Sequence, residues 1–294
     1  MIDRLEMFLA LAKAQHFGRA AEAVGVTQPT LSAAIRQLED QLGVMLVRRG
    51  SRFQGLTPEG ERVRDWARRI TGDMRAMKEE LRAGREGLTG VLRLAVIPTA
   101  LGAVTQLTTR FAKAHPKMRF SLRSATTTQL LAALEDHEAD AGIGYLDNEP
   151  LGRVVTVPLY SERYVAVLRA DAALAAKARL RWADFAEADL CLLTPDMQNR
   201  RIIAGHLAGA GVEVAPKVET NSTIVLISHV LSSGWVTILP ERAAAIFLEG
   251  LPLVARPITA PDAAHEIGLI APWREPHTPL LSALLAEARR FDRD

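Results

Sequence analysis

The sequence predicts an α/β protein built in three stages: an N-terminal winged helix-turn-helix, a long linker helix and a two-lobed α/β domain. Three observations carry that prediction. Small and apolar residues between Phe17 and Arg49 break into two short helices around Gly25 and run into a basic segment. One amphipathic stretch then extends from Pro58 to Gly87. Beyond Gly90 apolar, strand-like runs alternate with helical segments, the texture of helices packed on a sheet.

Composition bounds what such a chain can be. With 294 residues, 48% of them hydrophobic, it is long enough to bury a sizeable core in two or more domains. The net charge of +2 decides little, but its distribution is informative. Residues 1–87 carry 15 Lys and Arg against 12 Asp and Glu, and residues 88–294 carry 21 against 22, a modest basic bias at the N-terminal end. The opening MIDRLEMFLALAKAQ has Asp3 and Glu6 where a secretory signal is basic, and no apolar run approaches the ~18–20 residues of a membrane span. A soluble, cytoplasmic protein with no membrane partner is expected. The single cysteine, Cys191, lies in the apolar run DLCLL and reads as a small buried residue, since a reactive thiolate needs exposure and cationic neighbours.

The first helix is predicted over residues 3–14, where Leu5, Phe8, Leu9, Leu11 and Ala12 recur at helical spacing. A second, RAAEAVGV, follows Gly18 and ends at Gly25, as a helix does at a C′ glycine. Thr27 is a good N-cap and Pro29 suits a first turn, so the third helix starts at about Gln28 to Pro29. Leu31, Ile35, Leu38 and Leu42 form its inward stripe. The opposite face holds Gln28, Pro29, Thr30, Ser32, Ala33, Arg36 and Gln37. Small side chains let a helix sink into the major groove of double-stranded DNA, where hydroxyls, Gln and Arg bond phosphates or base edges. Gly43 closes that helix. Val44 to Val47, a turn at Gly50 and Ser51, and Phe53 to Leu56 suggest a small wing, from which Arg48, Arg49 and Arg52 neutralise phosphates.

The run RAAEAVGVTQPTLSAAIRQLEDQLGVMLVRR, with LTPEG after it, resembles the winged helix-turn-helix of LysR-type transcriptional regulators. The resemblance lies in the order of Thr-Gln-Pro, Leu-Ser, Ile-Arg-Gln-Leu-Glu, Leu-Gly and Leu-Thr-Pro-x-Gly. Members usually carry an aromatic where Val47 stands and often a polar residue near Ala33, so fewer base contacts are expected at that position. The resemblance implies DNA binding to an interrupted palindrome, a homodimer that commonly pairs into a homotetramer, and a possible contact with RNA polymerase.

Thr57 caps and Pro58 opens the linker helix, with Glu59 and Glu61 in its first turn. Val63, Trp66, Ile70, Met74, Met77 and Leu81 fall on one stripe at intervals of three and four, close to the roughly 3.5-residue period of a two-helix seam. That stripe predicts dimerisation. Gly84, Gly87, Thr89 and Gly90 mark the end and a hinge.

In the last two thirds VLRLAVI, LTTRFAKAHP, RFSLRSA, TTQLLAALEDHEAD and AGIGYL read as β-α-β-α-β. YVAVLRA, the segment around Trp182 to Phe185, DLCLLT, a helix through Ile202 to Ala210, VEVAPKVET, a helix near Ile224 to Leu231 and VTILP make a second lobe. HEIGLIAP returns to the first lobe and PLLSALLAEARRF closes it. Two lobes joined by two crossings describe a periplasmic-binding-protein-like clamshell. The expected domains are 1–57, 58–87 and 88–294, with lobe 1 at about 90–162 plus 266–294 and lobe 2 at about 163–265.

Ligands of open α/β lobes bind beyond the carboxyl ends of strands, at helix N-termini. Pro98, Thr99 and Ala100, then Thr126, Thr127 and Thr128, occupy such places in lobe 1, and Thr194 to Gln198 and Asn221 to Thr223 in lobe 2. Hydroxyls there suit a small organic acid or other anion. The resemblance places a small-molecule effector at the same positions, with Thr194 and Ser222 opposite Thr99 and Thr126 to Thr128. Gly142, Gly144 and Gly234 read as backbone necessities near the crossing or cleft wall.

An enzyme is disfavoured, because no G-x-S-x-G elbow, P-loop, G-x-G-x-x-G loop or H-E-x-x-H helix occurs. Neither a cofactor nor a metal is expected. His206 and His229 fall in predicted helices, and His16, His115, His137, His265 and His277 are scattered, reading as surface or capping residues. The alternative is a cytoplasmic solute-binding or sensing protein without a regulated promoter; a transport-type solute-binding protein is a closer rival by fold, but it would lack the reading head and carry an export signal.

Overall fold

Apolar spacing and strong end signals divide the first 57 residues into three helices. In the computed structural model, which describes residues 1–48, 53–273 and 276–291, α1 spans Ile2–Ala14, α2 Phe17–Ala23 and α3 Gln28–Leu42. His16 caps α2, its Nδ1 accepting from the N–H groups of Gly18 and Arg19. Gly25 (φ +70°) turns the chain toward α3. Thr27 caps α3 by accepting from the Thr30 N–H at 3.4 Å, and Gly43 ends it in the left-handed region. Phe8, Leu11, Ala20, Leu31, Ile35 and Leu38 meet Leu46, Val47 and Leu56 in one core. Leu42 departs from the expected stripe. It is 40% exposed, because the last turn of α3 extends past the core, whereas Ala34 and Glu39 are buried.

Among the described residues the wing is a single bridge and not a pair of strands. Val47 bridges Leu56 antiparallel, and the Arg48 N–H donates to the Gly55 carbonyl at 3.0 Å. Arg49, Gly50, Ser51 and Arg52 lie outside the described residues. Helix α4 then runs Pro58–Glu86. Thr57 fixes its start, since its Oγ1 accepts from the Gly60 N–H at 2.9 Å and donates to the Met45 carbonyl. The chain divides into two compact units, the first ending at Arg85 and the second beginning at Glu86.

The second unit opens with β1 (Gly90–Val96), a 3-10 turn at Pro98–Ala100, α5 (Leu101–Ala114), β2 (Met118–Ser124), α6 (Thr127–Glu135) and β3 (Ala141–Tyr145). β4 (Val154–Arg169) crosses to the second lobe, which holds β5 (Leu180–Arg181), β6 (Cys191–Leu193), α7 (Gln198–Gly209), β7 (Val218–Thr220), α8 (Thr223–Ser233), β8 (Thr237–Pro240), α9 (Glu241–Ala245) and β9 (Leu253–Thr259). β10 (Ala264–Pro272) and α10 (Pro279–Ala288) return to the first lobe. Parallel β2-β1-β3 continues into antiparallel β10 and β4, and beyond them β9 and β5. Within β4, residues up to Arg163 pair with β10, and Tyr164 begins the pairing with β8. One 16-residue strand therefore belongs to both lobes, where the sequence marked only its second half.

In lobe 1, α5 and α10 bury Val104, Leu107, Phe111, Leu284 and Leu285 on one face of the sheet, and α6 buries Leu130 and Leu134 on the other. Gly142 is needed for that second contact, since a Cβ there would lie 2.5 Å from Leu130 side-chain carbons. In lobe 2, β4 separates a core around Trp182, Phe185 and Leu207 from one around Leu226, Val230 and Leu239. α7 starts at Gln198, four residues before the expected Ile202, and that early start decides what faces the cleft.

Candidate functional site

With the inward side of α3 fixed by the core, its outward set follows. Gln28, Pro29, Thr30, Ala33 and Arg36 are exposed and Ser32 is half-buried, while Arg48 is exposed at the base of the wing. The Thr30 hydroxyl lies 2.8 Å from that of Thr27, so it also braces the cap. Glu39 was not singled out by spacing as a site residue. Its buried carboxylate accepts from the N–H groups of Leu46 (2.7 Å) and Val47 (3.1 Å) and ties the wing to α3. The available signal was an acid four residues after Ile35, inside the apolar stripe.

On α4, Trp66 and Leu81 are 62% and 66% exposed, with Ile70 and Met77 also exposed. Met74 is half-buried, and Val63 packs on the helix-turn-helix core. The Arg69 guanidinium stacks 5.2 Å over Trp66.

The second unit brings residues of both lobes to one narrow cavity of about 10 Å³, room for roughly one water, lined by Ile97, Pro98, Thr99, Thr126, Thr127 and Tyr145 from lobe 1 and Leu193, Met197, Gln198 and Asn199 from lobe 2. Each residue is there for a local reason. Pro98 and Thr99 follow the carboxyl end of β1, and Thr126 closes a reciprocal capping box with Gln129 at the start of α6. Gln198 and Asn199 open α7, whose N-cap Met197 offers no side-chain acceptor. Thr127 donates to Gln198 Oε1 at 2.8 Å, and Gln198 Nε2 donates to the Asp147 carbonyl at 2.9 Å, so one carboxamide bridges the lobes. Arg201 adds a two-pronged pair to Glu149. Thr99 Oγ1 and Asn199 Oδ1 are buried without a partner, and such atoms call for a ligand or water.

The remaining expected positions lie elsewhere. Ala100 is buried in the turn after β1. Thr128 lines an open groove with Leu131, Glu135 and Glu149. Thr194 accepts from the Met197 N–H through its carbonyl, and Ser222 caps α8. Gln198 closes the expected loop Thr194 to Gln198, whereas Asn199 and Tyr145 join the cavity although spacing did not single them out as site residues: the expected start of α7 lay too late to bring Asn199 forward, and Tyr145 read only as the end of a strand.

Behind the cavity sits a buried polar cluster. Tyr145 donates to Glu162 Oε1 and lies 3.2 Å from both the Tyr164 hydroxyl and Asn199 Nδ2. Burial foremost pushes the Glu162 carboxyl up to about 8 and raises the Tyr145 and Tyr164 hydroxyls. His265 is buried, not at the surface as expected, and bonds Asp147 and Asn148 through Nδ1. His206 stacks on Trp182, and burial, then His265, lowers its pKa. Cys191 is fully buried, and burial pushes its thiol up to about 11.

A winged helix-turn-helix unit joined to a two-lobed α/β unit with a narrow interlobe cavity defines a class of protein, the ligand-responsive DNA-binding regulator. Residues 2–61 match the bacterial regulatory helix-turn-helix protein, lysR family, and residues 85–293 the LysR substrate binding domain. The DNA-binding transcriptional dual regulator OxyR of Escherichia coli K12 is 32% identical over 100% of this chain and 96% of its own length. A probable hydrogen peroxide-inducible genes activator of Streptomyces viridosporus is 32% identical over 83% of this chain and 79% of its own. Among solved structures, a full-length OxyR variant from Pseudomonas aeruginosa superimposes with a TM-score of 0.77 at 27% identity, covering 99% of this chain and 95% of that one. Full-length CbnR complexed with its target DNA shares the fold at a TM-score of 0.68 and 22% identity, covering 99% of each chain. The chain belongs to the LysR family and is a DNA-binding transcriptional regulator with an effector-binding domain.

Proposed function

We propose that this regulator binds a small organic anion between its lobes and converts lobe closure into a change in DNA binding. The observation that carries this reading is the meeting of Thr99 and Thr127 with Gln198 and Asn199 in one cavity at the N-termini of α6 and α7. Free helix N–H groups and the unpartnered Thr99 hydroxyl suit a carboxylate. Ala100, Thr128, Thr194 and Ser222 would then act around the site. A thermal-shift screen of small organic acids tests this. A true effector stabilises the wild type, and Thr127→Val loses that gain. Undiminished stabilisation removes Thr127 from the site.

Several relatives are named hydrogen peroxide-inducible genes activators, or probable ones. In this chain we infer reversible ligand binding instead of thiol oxidation. The single Cys191 is buried, with Sγ 3.7 Å from the Leu226 and Val236 carbonyls, and its thiolate is disfavoured at neutral pH. Cys191→Ser should leave any peroxide effect on DNA binding unchanged, and loss of such an effect would overturn this.

For DNA, Gln28, Pro29, Thr30, Ser32, Ala33 and Arg36 form the base-facing set, with Arg48 and the undescribed Arg49 and Arg52 on phosphates. Arg36→Ala should relax discrimination among sequences, whereas Arg48→Ala should weaken all DNA alike and reduce the salt slope by about one. Identical profiles would refute that division of roles. The α4 stripe supports a homodimer on an interrupted palindrome, with a homotetramer and an RNA polymerase contact as further steps. Working boundaries are 1–57, 58–87 and 88–294. A cytoplasmic site of action fits a DNA reader, and among the described residues no helix is long and apolar enough to cross a membrane.

A further inference from the structure

The cavity has a property that its wall does not display. None of its lining residues is Lys or Arg, so an anion entering it meets no formal positive charge. Behind the wall lies Glu162, 2% exposed, on β4 one residue before the Arg163–Tyr164 step at which that strand changes lobes. One oxygen accepts from Tyr145, and the other, Oε2, is buried without a partner. Tyr145 belongs to lobe 1 and forms part of the cavity wall, and its hydroxyl meets Asn199 Nδ2 of lobe 2. Glu162, Tyr145 and Asn199 thus form a hydrogen-bonded chain from the crossing to the cavity.

Such a chain has two settings. With Glu162 ionised, Tyr145 donates to the carboxylate and accepts from Asn199 Nδ2, which leaves Asn199 Oδ1 as an unpaired acceptor. With Glu162 protonated, the proton sits on Oε1, because Oε2 has no partner to receive it; the acid and the Tyr164 hydroxyl, 3.2 Å away, then donate to the Tyr145 oxygen, and Tyr145 donates to the carboxamide turned over. Nδ2 is then the free group, and it is a donor. We propose that Glu162 is the proton-carrying specificity residue of the effector cleft: its protonation, relayed through Tyr145, turns Asn199 from an acceptor into a donor, so that the site holds an anion only when Glu162 carries a proton. This rests on the anionic-effector reading above.

The surroundings favour the neutral acid. Burial raises its pKa most, and Asp147 after β3 raises it further; the Tyr145 hydrogen bond and Arg242 of α9 act in the opposite direction. Tyr160 and Tyr164 lie on the same strand, His265 is its register partner on β10, and His206 of α7 lies beside Tyr164 and His265. The sign follows. The folded state holds the proton up to about pH 8, while the unfolded carboxyl loses it at roughly pH 4.3. Stability from this group is therefore lost as pH rises between these values and is level above them.

The test uses the full chain, with sodium acetate as probe against sodium chloride at equal ionic strength, followed by thermal unfolding from pH 5 to 9.5. Without acetate, the melting temperature of Glu162→Gln should gain on that of the wild type as pH rises to about 8, then stay level. With acetate, wild-type affinity should fall about tenfold per pH unit above that point, Glu162→Gln should bind independently of pH there, and Tyr145→Phe should bind weakly throughout. A constant melting gap without acetate overturns the proposal, because Glu162 then gains no proton on folding. An equal pH slope in Glu162→Gln overturns it as well. Acetate that stabilises neither protein at any pH overturns the anionic-effector reading and the relay's effector role with it, and the ligand-free gap still decides the state of Glu162.

Discussion

Gly60 shows how a single residue holds the reading head together. A Cβ at this position would lie 2.1 Å from the Leu46 carbonyl oxygen, a backbone atom that is itself bonded by the Thr57 N–H. Gly60→Ala must separate α4 from the wing, and a loss of about 1–3 kcal/mol is expected from urea unfolding of the full chain. The Gly of LTPEG was visible in the sequence, but its reason was not, because Leu46 lies fourteen positions earlier and only the fold brings it near. Glu39 is the parallel case among charged residues. Helical spacing explains why its position faces inward, whereas its two backbone partners belong to a segment that no local pattern connects to α3.

At the scale of elements, helix ends were the most legible feature and strand lengths the least. Thr27, Pro29 and Gly43 delimit α3 as their chemistry requires, and Thr126 with Gln129 starts α6. β4 ran longer than expected because its first half alternates buried and exposed residues and contains Pro158, a pattern that hides a crossing strand. The start of α7 was missed for a related reason: Met197 supplies no capping side chain, so the loop expected through Gln198 gave no sign that the helix begins there and carries Asn199 with it. α4 gives the clearest prediction at this scale. Its exposed Trp66, Ile70, Met77 and Leu81 form an apolar row of the kind that usually meets a partner. Ile70→Glu should shift the protein toward monomer in light scattering at micromolar concentration, and an unchanged dimer would move the interface elsewhere.

At the scale of the effector unit, the lobes are joined by hydrogen bonds as well as by chain crossings. Gln198 makes two of them, to Thr127 and to the Asp147 carbonyl. Gln198→Ala should lower the stability of this unit by about 1–3 kcal/mol, read by urea unfolding. No loss would show that the carboxamide exchanges readily with water. The two-lobed plan was legible from the order of strands and helices, and part of the cavity from Pro98, Thr99, Thr126 and Thr127. The polar cluster behind it was not, since Tyr145, Glu162, Asn199 and His265 come from four separate elements.

The shared strand β4 limits how such a unit can move. Its ladder passes from Ala264↔Arg163 to Tyr164↔Pro240 without a free residue between them. Sliding one lobe along the other would break a row of backbone hydrogen bonds at once, whereas rotation about the strand strains only a few dihedrals. The motion left to the domain is a twist about one axle, and a ligand a few ångströms from that axle has leverage on the whole of the opposite lobe.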